Sequence, residues 1–368
     1  MKDFKYWKKQ HESEKLEEFS QDKTGLLWLK TKSIVRKELI TDFLSINKIE
    51  LKETALEKQF IELFDLLCSN IANSNQKLDE FIIAENAKQV EGLDTTQLVS
   101  ELYKLKKFDW GGNYQNSLDK YLVSRYVKVH KSFDTLISKF ETEINVAVQG
   151  YVLNSWYNHW SSILIEHIFK SHPAVLPTVG QIKSVDFFIN DVPFDLKVTY
   201  LPAEYIKTKR KEKGYPVELT YLKKKAEEAK ISFDKNAKPA DISYEIIEKM
   251  KDRNDDFCLS VLATLKSEKL EILKEVQHNP KVLATWLYEN QGQMRFGSEN
   301  RLFLVLVDTE DFENSWKLKR NLDLLKPTIL SYLDNFKDKR IEDLKVTFEL
   351  KGKPEPFTAL TDIIFVVK

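Results

Sequence analysis

Residues 56 to 67 read LEKQFIELFDLL, with Leu56, Phe60, Leu63, Phe64 and Leu67 at steps of three and four and charges filling the positions between them. That period is helical. The same alternation runs from residue 1 to about 106 without a strand-like stretch, then breaks at KKFDWGGNYQNS, where Gly111, Gly112, Asn113 and Asn116 place a domain boundary near residue 112. A second long helix is expected over TEINVAVQGYVLNSWYNHWSSILIEHIF, because Ile144, Val148, Val152, Trp156, Trp160, Ile163, Leu164 and Ile168 fall along one stripe and Pro173 stops it. Beyond it the period shortens. The stretch from 184 to 199 reads as a hairpin, and FCLSVLAT, RLFLVLVD, KVTFEL and TDIIFVV read as strands, with helices around 268 to 290 and 314 to 336. Strands alternating with helices imply an α/β layer on a mixed sheet. The expected organisation is a helical domain over 1–112, for recognition or assembly, followed by a helix-flanked mixed β-sheet over 113–368.

Charge alters this picture only by what it removes. The 368 residues carry 57 Lys plus Arg and 57 Asp plus Glu, so no global field steers the chain to a polyanion or a membrane, and any such site must be a local patch. The charged opening MKDFKYWKKQHESEKLEEF has no apolar segment of signal type, and the longest apolar runs are far short of a membrane span, so a cytoplasmic location and no membrane partner are expected. Two cysteines, Cys68 and Cys258, make neither a disulfide framework nor a zinc knuckle and read as buried small hydrophobes.

The hairpin SVDFFINDVPFDLKVT raises a question of register. With Asn190 and Asp191 as the two central residues of a tight turn, opposing residue numbers sum to 381. One face then pairs Val185 with Leu196, Phe187 with Phe194 and Ile189 with Val192, all apolar. The other pairs Phe188 with Pro193, Asp186 with Asp195 and Ser184 with Lys197. A slip of one residue would scatter the apolar set over both faces, which supports the register. Asp186 and Asp195 would occupy a non-hydrogen-bonded slot with Cβ atoms roughly 4.5–5.5 Å apart. At an effective dielectric near 20 their repulsion is on the order of 3 kcal/mol. Lys197 offsets part of it and a divalent cation would offset more; a solvated surface face, where the repulsion is screened, is the competing reading.

An acidic residue at a strand start followed by Asp-x-Lys in the next strand resembles the signature of the PD-(D/E)XK nuclease superfamily, which includes many restriction endonucleases. VDFFINDVPFDLK matches it with Asp186 as the first acid, Asp195 as the second and Lys197 as the lysine, and departs in having Val185 where the eponymous proline often stands. The resemblance covers about residues 143 to 200. It implies a restriction-endonuclease-like fold and a Mg²⁺ or Mn²⁺ site held by Asp186, Asp195 and the Leu196 carbonyl. It also implies a Glu from the preceding helix, for which Glu166 is the candidate; Glu143 and Gln149 lie on the same helix. Lys197 would orient or deprotonate the attacking water or stabilise charge at the phosphate.

Phosphate contacts would come from KTKRKEKGY and YLKKKAEEAK, which concentrate Lys207, Lys209, Arg210, Lys211 and Lys213, then Lys223, Lys224 and Lys225, with Tyr205, Tyr215 and Tyr221 interleaved. A solvated surface is the alternative for such a run. SWKLKRNLDLLK is a second basic stretch, with Lys317, Lys319 and Arg320, and MRFGSENRLF offers Arg295, Glu299 and Arg301 as phosphate contacts or ion pairs. The chain has no H-E-x-x-H spacing, phosphate-binding glycine loop or G-x-S-x-G elbow. The expectation is a metal-dependent endodeoxyribonuclease of restriction or phage-defence type, acting on DNA. A homodimer would suit cleavage of both strands. The alternative is a noncatalytic nucleic-acid- or protein-binding module with a nuclease-like fold.

Overall fold

The computed structural model describes residues 2–110, 117–290, 298–350 and 352–368. The boundary expected near residue 112 and the candidate Arg295 lie outside the described residues. The first hundred residues are helical: α1 (Phe4–Glu12), α2 (Lys23–Ser33), α3 (Lys37–Asn47), α4 (Leu56–Leu67), α5 (Ile71–Val90) and α6 (Thr95–Leu102). Acidic caps fix several starts, with the carboxylates of Asp3, Asp22 and Asp94 each accepting a first-turn N–H at 2.8 Å. Then follow α7 (Leu118–Leu122), α8 (Phe133–Lys139) and the long α9 (Asn145–Lys170).

The sheet is mixed and α/β in class. Its strands are β1 (Val175–Ile182), β2 (Val185–Ile189), β3 (Val192–Tyr200), β4 (Arg301–Val307), β5 (Lys345–Phe348) and β6 (Phe357–Val367), in the order β1-β2-β3-β4-β6-β5. β1, β2 and β3 form an antiparallel meander, β3, β4 and β6 run parallel, and β5 returns antiparallel on β6. A parallel neighbour demands a crossover. From β3 to β4 it is made by α10 (Ala203–Glu212), α11 (Glu218–Glu228), α12 (Pro239–Arg253), α13 (Asp256–His278) and α14 (Pro280–Asn290); α15 (Leu322–Asn335) and α16 (Ile341–Leu344) lie between β4 and β5.

Three apolar cores cover the sheet. α9 and α15 pack on Phe187, Ile189, Phe194 and Leu196 together with Leu302, Leu304 and Leu306 of β4. α10, α13 and α14 cover Phe303, Val305 and Val307 on the opposite face. The N-terminal helices share their core with Val179, Ile182, Val185 and Phe188. At Gly180 the end of α2 comes so close that a Cβ would sit 2.2 Å from the Ser33 carbonyl oxygen, so a side chain there would push the helical layer off β1. On the second face of the hairpin Phe188 and Asp195 are therefore buried, whereas Lys197 keeps 41% of its side chain exposed, so that face is a solvated surface only at its outer end.

Three expectations are corrected. FCLSVLAT is part of helix α13: Asp255 caps it by accepting the Cys258 N–H at 2.8 Å, and Cys258, Val261 and Leu265 are buried at helical steps. On α9 the buried residues are Ala147, Asn154, Tyr157, Ser161, Leu164, Ile165, Ile168 and Phe169, whereas Val152 is exposed and Trp156 and Trp160 are half-buried. The inward face thus mixes small and polar side chains with large ones, and the Tyr157 hydroxyl is satisfied there by donating to the Trp316 carbonyl at 3.0 Å. Cys258 is buried but Cys68 only partly so; burial still pushes the Cys68 thiol up to about 11. Among the described residues no helix is long and apolar enough to cross a membrane.

Candidate functional site

The hairpin turn has the geometry its residues favour. Asn190 and Asp191 adopt φ values of 44° and 66°, and β2 pairs with β3 as Ile189 with Val192, Phe188 with Pro193 and Phe187 with Phe194. This is the register read from the apolar pattern. It stops one pair short of Asp186 and Asp195. From Asp195 onward β3 pairs with β4, Asp195 opposite Arg301 and Lys197 opposite Phe303, and the Asp195 N–H donates to the Asn300 carbonyl at 2.9 Å.

β2 leaves β3 at this point because β1 draws it away. The Thr178 hydroxyl donates to the Asp186 carbonyl at 2.9 Å, β1 is irregular between Pro177 and Ile182, and Ser184 turns the chain at φ 65°. Besides Asp186 with Asp195, two further expected pairs fail for the same reason: Val185 joins the N-terminal core rather than the Phe187 face, and Ser184 donates to Glu299 at 3.0 Å instead of standing opposite Lys197. In a continued hairpin the Leu196 N–H would meet the Val185 carbonyl. Here the Asp186 Oδ2 accepts it instead, at 2.8 Å. The N–H and C=O of one strand residue face the same edge, so the Leu196 carbonyl also faces the opening.

The split concentrates negative charge. Burial, then the Asp195 carboxylate, then Glu166 on α9 raise the Asp186 carboxyl to about 6, against the Leu196 N–H and Lys197, which act the other way. Lys197 Nζ lies 2.8 and 2.7 Å from the two Asp195 oxygens. Its side chain is 41% exposed and that of Asp195 12%. Glu166 pairs with Lys170 at 2.8 Å, one turn along α9. Asp186, Asp195, Lys197 and Glu166 thus interact in one place, whereas Glu143 is paired with Lys139 at the start of the helical run.

Whether this donor set suits a metal can be judged from its chemistry. The Asp186 and Asp195 carboxylates and the Leu196 carbonyl are hard oxygen donors, and crowded acids that resist ionisation gain most from a cation. Among the described residues no group of three or more His, Cys, Asp or Glu side chains is placed to hold a metal ion. Two carboxylates and one carbonyl would leave a hard divalent ion most of its own water, and they lack the thiolate and imidazole ligands of a structural zinc.

The expected phosphate contacts are placed otherwise. Lys207, Lys209, Arg210, Lys211 and Lys213 belong to α10 and its end, and Lys223, Lys224 and Lys225 to α11. Arg210 is buried, ion-paired to Glu268 and donating to the Pro216 carbonyl at 3.0 Å, so it ties α10 to α13 and offers no open guanidinium. Lys213 is held by Glu271 and Glu275, Lys209 by Glu212, Lys225 by Glu228 and Lys207 by Glu204. Lys211, Lys223 and Lys224 have no ion pair among the described residues. In SWKLKRNLDLLK, Arg320 donates to the Leu102 and Leu105 carbonyls at 3.0 and 2.9 Å.

One group beside the site went unrecognised as such. Arg301 is buried, ion-paired to Glu299, 3.7 Å from the Asp195 Oδ2 and stacked over the Tyr288 ring at 5.0 Å. The basic and acidic residues of GSENRLF gave a weak signal, an Arg opening a strand that is otherwise wholly apolar. Of its two readings the ion pair is the one formed. Comparison of the chain with family models, with curated proteins and with solved structures gives no significant match in any of the three.

Proposed function

We propose that the opening between β2 and β3 is the active site of a metal-dependent phosphodiester hydrolase acting on DNA, with a restriction-endonuclease-like arrangement of sheet and flanking helices. The observation that carries this reading is the split itself: a buried carboxylate, a half-buried one and an outward carbonyl share an edge with a partly exposed ammonium. The order of elements agrees, since α9 brings Glu166 to the same place ahead of the hairpin.

Asp186, Asp195 and the Leu196 carbonyl would hold Mg²⁺ or Mn²⁺, which when bound lowers the pKa of an attacking water and offsets charge building on the phosphate. The chain's own residues do the rest. Lys197 donates to a phosphate oxygen or orients the water, and its pairing with Asp195 keeps the ammonium aimed at the opening. Arg301 braces Asp195 from behind and fixes the carboxylate. Water gives up one proton to solvent as its oxygen bonds to phosphorus, one P–O ester bond breaks, and the departing oxygen takes a proton from solvent, leaving a phosphomonoester and an alcohol.

A second reading rests on the Lys197–Asp195 pair, which already neutralises one acid. In that case the chain is a noncatalytic binding module. Plasmid, linear and single-stranded DNA and RNA, each incubated with and without Mg²⁺ or Mn²⁺ beside Asp195→Ala, separate the two. Metal-dependent cutting lost in the variant supports hydrolysis at this site; cutting that the variant retains removes it, and binding without cutting supports the module.

A further inference from the structure

The helical run that begins at Leu118 keeps most of its apolar side chains outside. Trp110 anchors it through an edge contact with Tyr121 at 5.0 Å, and Tyr126 is buried, but among the described residues α7 and α8 bury no side chain of their own. α8 continues through a π-helical turn (Phe140–Ile144) into α9. Along it Phe133, Ile137 and Phe140 follow at steps of four and three, the spacing of a buried stripe, yet they are 74%, 48% and 42% exposed. Val123, Val127 and Val129, just ahead of α8, are exposed as well. Single apolar residues are ordinary on a surface, but six within one short segment make a patch on the order of 500 Å², the size that marks an interaction site.

The charges at its ends select the partner. Lys128 and Lys131 stand ahead of the stripe and Glu141 follows it; all three are exposed, and none has an ion pair among the described residues. We propose that the stripe is a homodimer interface, in which α8 lies antiparallel on α8 of a second copy. With Phe133 of one copy against Phe140 of the other, opposing residue numbers sum to 273 and the two-fold axis passes between Leu136 and Ile137. Lys131 then falls opposite Thr142, beside Glu141. A parallel pairing would set Lys131 on Lys131 and Glu141 on Glu141, like charges that oppose association. The antiparallel one satisfies both ends, and the symmetry makes each contact twice. Lys139 and Glu143 are already paired with each other at 2.7 Å and are not needed. Covering the patch on both copies buries on the order of 1,000 Å², enough for a weak, concentration-dependent dimer. The assignment does not depend on hydrolysis at the β2–β3 opening.

Sedimentation velocity of the whole chain in EDTA, without DNA and across a range of concentrations, tests this. The parent should pass from monomer to dimer as concentration rises. Ile137→Asp, at a position exposed in the single chain, should keep its circular dichroism spectrum and weaken the dimer by about tenfold or more. Phe133→Ser should act in the same direction at the most exposed position of the stripe. Lys131→Glu and Glu141→Lys should each weaken the dimer about threefold, and the two together should restore it to within about twofold of the parent. A parent that stays monomeric at every concentration overturns the proposal, including one that instead binds anionic phospholipid vesicles, which would assign the patch to a lipid surface. So does a dimer that Ile137→Asp and Phe133→Ser leave intact, or a double charge exchange no tighter than the single ones.

Discussion

The hairpin carries a lysine with two aspartates at each end, and the two triads are inverted. At the turn, the cation is inside: Lys30 of α2 is 2% exposed and pairs with Asp79 of α5 at 2.8 Å and with Asp191 at 3.1 Å, while Asp191 is 63% exposed. At the opening, the acids are inside and Lys197 reaches outward. Net charge is the same for both. Solvent absorbs the excess at the turn, where an acid faces water, but not at the opening, where Asp186 is sheltered and Glu166 adds a further negative charge. The first triad fastens the helical layer to the hairpin. The second leaves a place for added positive charge.

The largest effect that would break this contrast is on cleavage. Asp195→Asn and Asp186→Asn should each lower metal-dependent DNA hydrolysis by on the order of 10²–10³-fold, measured as initial rates on plasmid, whereas Asp191→Asn should leave it within about twofold of the parent rate. Next in size is stability at the turn. Asp79→Ala leaves the buried Lys30 with one exposed partner and should cost about 2–4 kcal/mol in denaturant melts, against less than about 1 kcal/mol for Asp191→Asn.

Asp186→Asn should act with the opposite sign on the metal-free fold. A carboxyl whose folded value is raised to about 6 favours the native state least when ionised. The contribution of Asp186 to native stability is therefore greatest below the ordinary aspartate range, falls as pH rises from about 4 toward 6, and stays low above that. An amide keeps an oxygen for the Leu196 N–H and removes the charge, so the variant should melt higher by on the order of 1–2 kcal/mol at pH 8 and show no gain at pH 4. Equal melting at both pH values would mean that Asp186 is not strained. The smallest effects belong to α10 and α11: Lys207→Ala and Lys225→Ala, both in pairs within one helix, should change stability by less than about 0.5 kcal/mol.

What the sequence made legible depended on the range of the interactions involved. Turn and register followed from Asn190-Asp191 and from the alternation of Phe187, Ile189, Val192 and Phe194, all within eight residues. The α/β class and the strands at β4, β5 and β6 followed from short apolar runs. β1 did not, since Pro177 and Gly180 interrupt its pattern and its partners lie in β2 and at Ser33 of the distant α2. FCLSVLAT reads as a strand because a short run of mostly apolar and β-branched residues does not distinguish a strand from the first turns of a long helix. The basic run was visible as composition, but the acids that occupy it, Glu268, Glu271 and Glu275, sit more than 50 residues later on α13. Likewise the divergence that makes the acidic site depends on Thr178 and on pairing with β4, neither of which the hairpin's own residues encode.

Titration with Mn²⁺, followed by the loss of its free-ion electron paramagnetic resonance signal, tests the central claim most directly. A saturable site in the parent chain that disappears in both Asp186→Asn and Asp195→Asn, yet persists in Asp191→Asn, is the expected result. Absence of such a site in the parent, or its survival in both variants, would contradict the account.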